Sequence, residues 1–446
     1  LVILGGKESG VGAATLAKLN GYEVFVSDSG DLAPNFTQEL DDLSVEWEQG
    51  KHSEGKILRA NLVVKSPGIP TTAKIIQLIK QANIELISEI EFAYRFKSKT
   101  SKVLAITGSN GKTTTTLWSN YILTNAGYNV AMCGNIGYSF SRAVAEKSSA
   151  YYVVEVSSFQ LDDIVDFCPD ISVILNITPD HLDRYNYEFS NYVAAKFKII
   201  ENQNEEHTLI YNADDSTLVE YLDNSPIKVK KYGFTTAKLI NNAVAYTAND
   251  SIVFNTNENK LTMIIKDLGI AGLHNVQNGM AAGTAARLFE VDDETLINSL
   301  STFANAEHRM ERVRTYKGIT FVNDSKATNI NSVWYALESI EGKIIWLVGG
   351  VDKGNDYEVL KPLVTQKVDA IICIGKDNQK IKDSFRGLVE HIVEITDMKD
   401  AVKHGFDISS QGDTILLSPA CASFDFYRSY EDRGIQFCRA AVTINK

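Results

Sequence analysis

No Cys-x-x-Cys pair occurs in the 446 residues, and the five cysteines, Cys133, Cys168, Cys373, Cys421 and Cys438, are odd in number and scattered. That pattern argues against a disulfide framework or a cysteine metal site. It reads as the reduced, mostly buried cysteines of a cytosolic protein, so a cytoplasmic location is expected. Apolar runs are short as well. None approaches the roughly 20 residues of a membrane helix, and residues 1–4 are too few for a signal peptide. A chain opening on Leu rather than Met is expected to begin a few residues into its gene product. Positive charge is in deficit: 44 Lys and Arg against 56 Asp and Glu leave a net charge of −12. A nucleic-acid backbone or an anionic membrane is therefore not expected as the main partner. Anionic small molecules must be held by individual Lys and Arg side chains and by helix N-termini.

What is present is an ordinary globular composition, 44% hydrophobic and 22% charged, in a chain long enough for two to four domains. The reading turns on residues 102–114. A strand-like apolar run ends at Thr107 in Gly108-Ser109-Asn110-Gly111, and a helical stretch over 112–126 follows, with Gly127 placed to cap it. Gly108 and Gly111 allow backbone conformations in which successive N–H groups turn inward on a phosphate. Lys112 is spaced to reach the outer phosphates, and the hydroxyl of Thr113 to ligate Mg²⁺ at the positive end of the helix. The first glycine of the standard pattern, due near Ile106 or Thr107, is missing, so this is a shortened P-loop. A nucleoside triphosphate is expected here.

Residues 1–5 read as a strand, 11–20 as a helix closed by Gly21, and 23–28 as a second strand, with Gly5, Gly6, Gly10 and Gly12 around the first turn. The spacing is not Gly-x-Gly-x-x-Gly, so the dinucleotide signal is weak, although Asp28 stands where an acid accepts from a ribose hydroxyl or a base. Glu8 in that turn would oppose a diphosphate, with Lys7 available to offset it. Strands are expected at 61–65 and 84–87, a helix at 71–82 between them, and a polar linker at 97–102.

Beyond the P-loop, Gly134-Asn135-Ile136-Gly137 is another turn suited to close backbone approach. Glu155 interrupts the buried run 151–156. An unpaired charge is costly there, and a Mg²⁺ ligand explains it better than a salt bridge at the strand end. Asp180-His181-Leu182-Asp183 follows the strand 171–176 and is poised for a metal or phosphate role. Within the helix expected at 192–200, spacing alone makes Lys196 a solvated lysine. Residues 229–265 read as a small antiparallel insert, before an Ala-rich helix ending near Phe289. From Thr320 onward strands and helices alternate as in a doubly wound α/β domain, whose loops at the strands' carboxyl ends are the ligand candidates. Domains are expected at 1–97, 98–306 and 307–446.

With these motifs in view the chain resembles the Mur ligases, ATP-dependent amide-forming enzymes of peptidoglycan precursor synthesis. The segments that carry it are 107–114, 134–137, 155–160, 180–185, 194–196, 274–278, 308–311, 323–329 and 418–434. Within the family, residues 417–423 and Arg433-Gly434 are most similar to members that add D-glutamate to UDP-N-acetylmuramoyl-L-alanine. No Asp-Asn-Pro-Arg occurs, which speaks against the diaminopimelate or lysine adders. The fold implied is α/β in three domains. A Rossmann-like UDP-sugar domain comes first, then a central P-loop domain with the small antiparallel insert, then a C-terminal doubly wound Rossmann-like domain for the amino acid.

The resemblance also implies ATP, two Mg²⁺ ions, small-molecule substrates, a monomer, and neither nucleic acid nor membrane as partner. Gly108, Ser109, Asn110, Gly111, Lys112, Thr113 and Thr114 would hold the phosphates of ATP, with Asn278, Arg309 and Asp324 on the adenosine and phosphates. Thr113 and Glu155 would hold one Mg²⁺, His181 and a carbamylated Lys196 the second, and Lys326 would meet the transferring group. Ser9, Asp28 and Asn135 would face the UDP-sugar, with Ser157 and Gln160 near its reacting end. Thr328, Lys353, Ser423, Phe424 and Tyr430 would hold D-glutamate. One departure touches the uridine side: Gly30 stands where the family often has Arg. The competing readings are a sibling ligase such as a folylpolyglutamate synthase or another Mur enzyme, a nicotinamide-dependent oxidoreductase built on residues 1–30, and a nucleotide-switched binding module.

Overall fold

The computed structural model describes residues 1–146, 149–237, 243–256, 260–304, 307–352 and 354–444. The chain forms two compact units, Leu1–Gly269 with Val276–Phe303, and Ile270–Asn275 with Ala304–Lys446. Among the described residues no helix is long and apolar enough to cross a membrane.

The first unit holds two sheets. The smaller is all parallel, in the order Glu46–Glu48, Phe25–Ser27, Val2–Leu4, Leu62–Lys65, Glu85–Ser88. Its central strand, Val2–Leu4, is buried throughout, as a parallel strand covered on both faces must be. The first helix, Glu8–Leu19, begins three residues earlier than its apolar pattern suggests and takes in Gly10 and Gly12. A Cβ on Gly10 would lie 1.8 Å from the carbonyl oxygen of Gly5, so that glycine serves close helix–strand packing.

Among the described residues the larger sheet has nine strands, with the P-loop strand Lys102–Thr107 between Ile171–Ile174 and Tyr151–Glu155. The expected insert is part of this sheet. Lys230–Thr235 pairs in parallel with Thr208–Asn212 and with Ala243–Ala248. Antiparallel pairing begins only beyond that, between Ala243–Ala248 and Ser251–Phe254 and between Ser251–Phe254 and Leu261–Ile264 at the edge. Burial alternates along the last strand, Leu261 and Met263 inward and Thr262 and Ile264 outward, so its apolar residues need the shared core.

The two sheets of this unit are joined by buried acids. Glu91 Oε2 accepts the backbone N–H groups of Val165, Asp166 and Phe167 at 3.0, 3.0 and 2.8 Å, and Lys65 pairs with Asp163 at 2.7 Å. Glu89 takes the N–H of Ser141 at 2.5 Å, while its Oε2 has no hydrogen-bond partner among the described residues. Burial pushes the Glu89 carboxyl up from 4.5 to about 7. The folded state therefore holds this proton more tightly than the unfolded chain. The cost is absent below pH 4.5, grows as the pH rises toward 7, and levels off above it at on the order of 3 kcal/mol. Glu89→Gln is expected to raise stability in urea unfolding by about that amount at pH 8 and hardly at all at pH 4. A gain independent of pH would contradict this assignment.

The second unit carries a sheet in the order Glu311–Tyr316, Ile319–Asn323, Thr414–Leu417, Ile344–Val348, Val368–Cys373, His391–Glu394. It is parallel except for the first strand, which pairs antiparallel with the second. That polar edge strand has too few apolar residues to announce itself. The closing helix, Tyr430–Thr443, is capped by Ser429, whose side chain accepts from Asp432 N–H.

Candidate functional site

The strand Lys102–Thr107 delivers the P-loop, and Gly111 caps the helix Lys112–Asn125 with φ 83°. A Cβ at Gly111 would also stand 2.5 Å from Oδ1 of Asn278, so both backbone angle and space require glycine. Asn278 comes from the helix Leu273–Leu288, and its Oδ1 accepts from the hydroxyl of Thr115 at 3.2 Å. The loop is braced by residues that no motif singled out. Asn110 N–H donates to Oδ1 of Asn176 at 2.8 Å, and Ser109 Oγ donates to the carbonyl of Thr178 at 2.8 Å. The hydroxyls of Ser109 and Tyr192 lie 3.1 Å apart.

Lys112 Nζ donates to the carbonyls of Gly108 and Ser109 at 2.8 and 2.9 Å. Lys196 Nζ reaches the same Gly108 carbonyl at 2.8 Å from the helix Phe189–Phe197, and its side chain is buried rather than solvated as spacing suggested. Burial first, and then the charge of Lys112, hold the Lys196 ammonium well below its usual range, with Asp180 opposing. Nothing in a linear sequence could place Lys112 and Lys196 on one carbonyl.

Glu155 ends the strand Tyr151–Glu155 and is buried. Its Oε1 accepts from the amide of Asn135 at 2.9 Å, while Oε2 has no hydrogen-bond partner among the described residues. Such an oxygen fits a divalent cation, and the hydroxyl of Thr113 offers a second hard donor in the first helical turn. His181 has φ 51°, with its ring edge-on to Phe159 at 5.1 Å and Nε2 3.7 Å from Asp180. Ser157 and Gln160 have a local account. They form a capping box at the short helix Ser158–Leu161, which sets the loop after Glu155.

At the first turn, Asp28 is engaged by backbone: its Oδ2 accepts from Gly6 N–H and its Oδ1 from Gly30 N–H, both at 2.8 Å. Ser9 lies in the opening turn of Glu8–Leu19. The partner of Glu8 is Arg142, not the exposed Lys7, with Nε to Oε1 at 2.9 Å and Nη2 to Oε2 at 3.0 Å. This joins the first turn to the segment after Asn135.

In the second unit, Asp324 is buried at the end of Ile319–Asn323, accepting from Met310 N–H at 3.2 Å and from Ser418 Oγ at 2.9 Å. Burial pushes its carboxyl up to about 7 against the pull of Arg309. His274 is driven down to about 4 by burial and then by Arg309. Lys326 Nζ stands 5.4 Å over the ring of Tyr430. Thr328 is half-buried, Ser423 buried and Phe424 73% exposed, while Lys353 lies outside the described residues.

The sequence pair Arg433-Gly434 gains a physical reason. Arg433 is fully buried and donates to Ser325 Oγ and to the carbonyls of Ser325, Gly349 and Cys421, tying together the loops after three strands. A Cβ on Gly434 would meet His308 Nδ1 at 2.3 Å. His308, Glu311 and Cys438 converge closely enough to suggest metal binding, but the amide of Asn323 donates into all three at 2.8, 3.0 and 3.2 Å.

Three family models cover most of the chain: "Mur ligase MurD-like, N-terminal domain" at 1–88, "Mur ligase middle domain" at 106–286 and "Mur ligase, glutamate ligase domain" at 308–421. Over 440 residues the chain is 48% identical to a protein of Christiangramia forsetii named UDP-N-acetylmuramoylalanine–D-glutamate ligase, covering 99% of this chain and 98% of the relative. Among solved structures, a pseudomurein peptide ligase type C from Methanothermus fervidus matches with TM-score 0.64 at 21% identity, covering 99% of both chains. The MurF ligase of Thermotoga maritima in complex with ADP matches with TM-score 0.60 at 16% identity, covering 94% of each chain. Those two structures speak for the α/β fold.

Proposed function

The chain belongs to the Mur ligase family, and on that premise we propose that it joins D-glutamate to UDP-N-acetylmuramoyl-L-alanine at the expense of ATP. The products are the amide, ADP and phosphate, and the step serves peptidoglycan precursor synthesis. The observation that carries this is the span of the likeness. A relative named for this reaction aligns with 99% of the chain, so the P-loop, Glu155 and the C-terminal loops all lie inside the match.

In this reading a carboxylate oxygen of the acceptor attacks the γ-phosphorus of ATP, the bond to ADP breaks, and an acyl phosphate forms. The amine of D-glutamate attacks that carbonyl carbon, and phosphate departs with the former carboxylate oxygen while the amine gives up a proton. Anionic partners must meet, so the chain's task is alignment and charge neutralisation. Lys112 and the N–H groups of residues 108–114 hold the phosphates, Asn278, Arg309 and Asp324 the adenosine and phosphates, and Lys326 the group in transfer. Thr113 and Glu155 hold one Mg²⁺, His181 and a carbamylated Lys196 the other. When bound, Mg²⁺ neutralises charge on the phosphate oxygens. Ser9, Asp28, Asn135, Ser157 and Gln160 serve the UDP-sugar, and Thr328, Lys353, Ser423, Phe424 and Tyr430 serve D-glutamate. The protein works as a cytoplasmic monomer on small molecules.

Phosphate release measured with UDP-N-acetylmuramoyl-L-alanine and a panel of amino acids tests the reading. Release is expected with D-glutamate. Release with L-glutamate and none with the D isomer would point to a sibling ligase and overturn it.

A further inference from the structure

Glu8 places an acid in the turn where the reading above puts a diphosphate, and its side chain is 32% exposed. Arg142 grips both of its oxygens in a fork, at 2.9 and 3.0 Å, and Oε1 also accepts the backbone N–H of Ser139 at 2.9 Å. The guanidinium is only 11% exposed and faces two further acids, Glu39 at 2.9 Å and Glu146 at 3.7 Å. The close approach depends on Gly12. A Cβ there would lie 2.0 Å from Ser139 Oγ and 3.1 Å from Arg142 Cβ, so the helix Phe140–Glu146 can pack this near only because position 12 has no side chain.

We propose that Arg142 is a specificity-determining residue for the sugar nucleotide, acting through Glu8: by holding that carboxylate in a bidentate pair it lets an acidic first turn accept a diphosphate. The proposal rests on the UDP-sugar binding at this turn. Without Arg142 the Glu8 charge is released toward the ligand. A like charge freed beside a bound diphosphate is expected to weaken binding by about tenfold to a hundredfold. Arg142 itself need not touch the ligand, because its donors are already committed to carboxylates.

Calorimetric titration of the full chain with UDP-N-acetylmuramoyl-L-alanine tests this. Wild type is expected to bind; if it does not, the functional reading fails independently of Arg142. Arg142→Gln is expected to bind about tenfold to a hundredfold more weakly, with KM for the sugar nucleotide raised and KM for ATP and D-glutamate unmoved. Adding Glu8→Gln to that variant is expected to restore affinity to near wild type, a recovery that a purely packing role would not give. Unchanged affinity in Arg142→Gln, or no recovery in the double variant, overturns the proposal. Should Arg142→Gln fail to fold by circular dichroism, Glu8→Gln alone decides: affinity equal to or tighter than wild type supports the proposal, and weaker binding overturns it.

Discussion

Replacing Lys112 with alanine lowers kcat by on the order of 10³-fold or more, in steady-state ADP formation, while the thermal unfolding midpoint stays near wild type. The expectation follows from position. Lys112 opens the helix whose N-terminus faces the loop, and its Nζ bonds to the carbonyls of Gly108 and Ser109. In the proposed reaction a cation there would meet the charge that develops on the phosphoryl oxygens, and no backbone N–H can replace a full positive charge. Its side chain is only half-buried and its bonds to the Gly108 and Ser109 carbonyls are local to the loop, so activity should fall far more than stability. A variant that retains a tenth or more of wild-type kcat would show that the phosphates are held elsewhere.

The second large effect concerns Lys196. Alanine in its place is expected to cost roughly 10²- to 10³-fold in kcat, and millimolar acetate or formate is expected to return part of the loss. The buried amine sits on the Gly108 carbonyl with its ammonium form disfavoured by burial and by Lys112. A neutral amine is the form that takes up carbon dioxide as a carbamate, which would turn a cation into an anionic oxygen donor. A small carboxylate supplies the same oxygen without the side chain. Loss of activity with no rescue by any short carboxylate would contradict the carbamate and leave Lys196 as a brace for the loop.

These two residues also mark what could and could not be read from the chain. Lys112 is legible because strand, turn, lysine, hydroxyl and helix follow one another within 102–126, and local order of that kind survives folding. Glu155 is legible for the opposite reason, as a charge in an apolar run where none is cheap. Lys196 is not legible by spacing, because the carbonyl its buried amine bonds to, that of Gly108, lies 88 residues away. The pairing of Glu8 with Arg142 spans 134 residues, and Lys7 was the nearer choice on sequence distance alone. Arg433 shows the same limit: its acceptor Ser325 lies 108 positions earlier, so the motif stands in the sequence but its clamp does not.

Element boundaries failed where packing overrode pattern. Gly10 and Gly12 look like turn residues and are helical, because the helix must approach Gly5 and Ser139 closely. The strands after Ala243 look self-contained and instead extend the central sheet, because their inward apolar residues need a core that a lone hairpin lacks.

In the proposed reaction ATP energises the acceptor by phosphorylating its carboxyl group. The most direct measurement uses UDP-N-acetylmuramoyl-L-alanine labelled with ¹⁸O in the alanyl carboxylate, with mass spectrometry of the products after turnover with ATP and D-glutamate. One ¹⁸O is expected in the phosphate released per turnover and none in the nucleotide. Unlabelled phosphate, or label recovered in AMP, would contradict it.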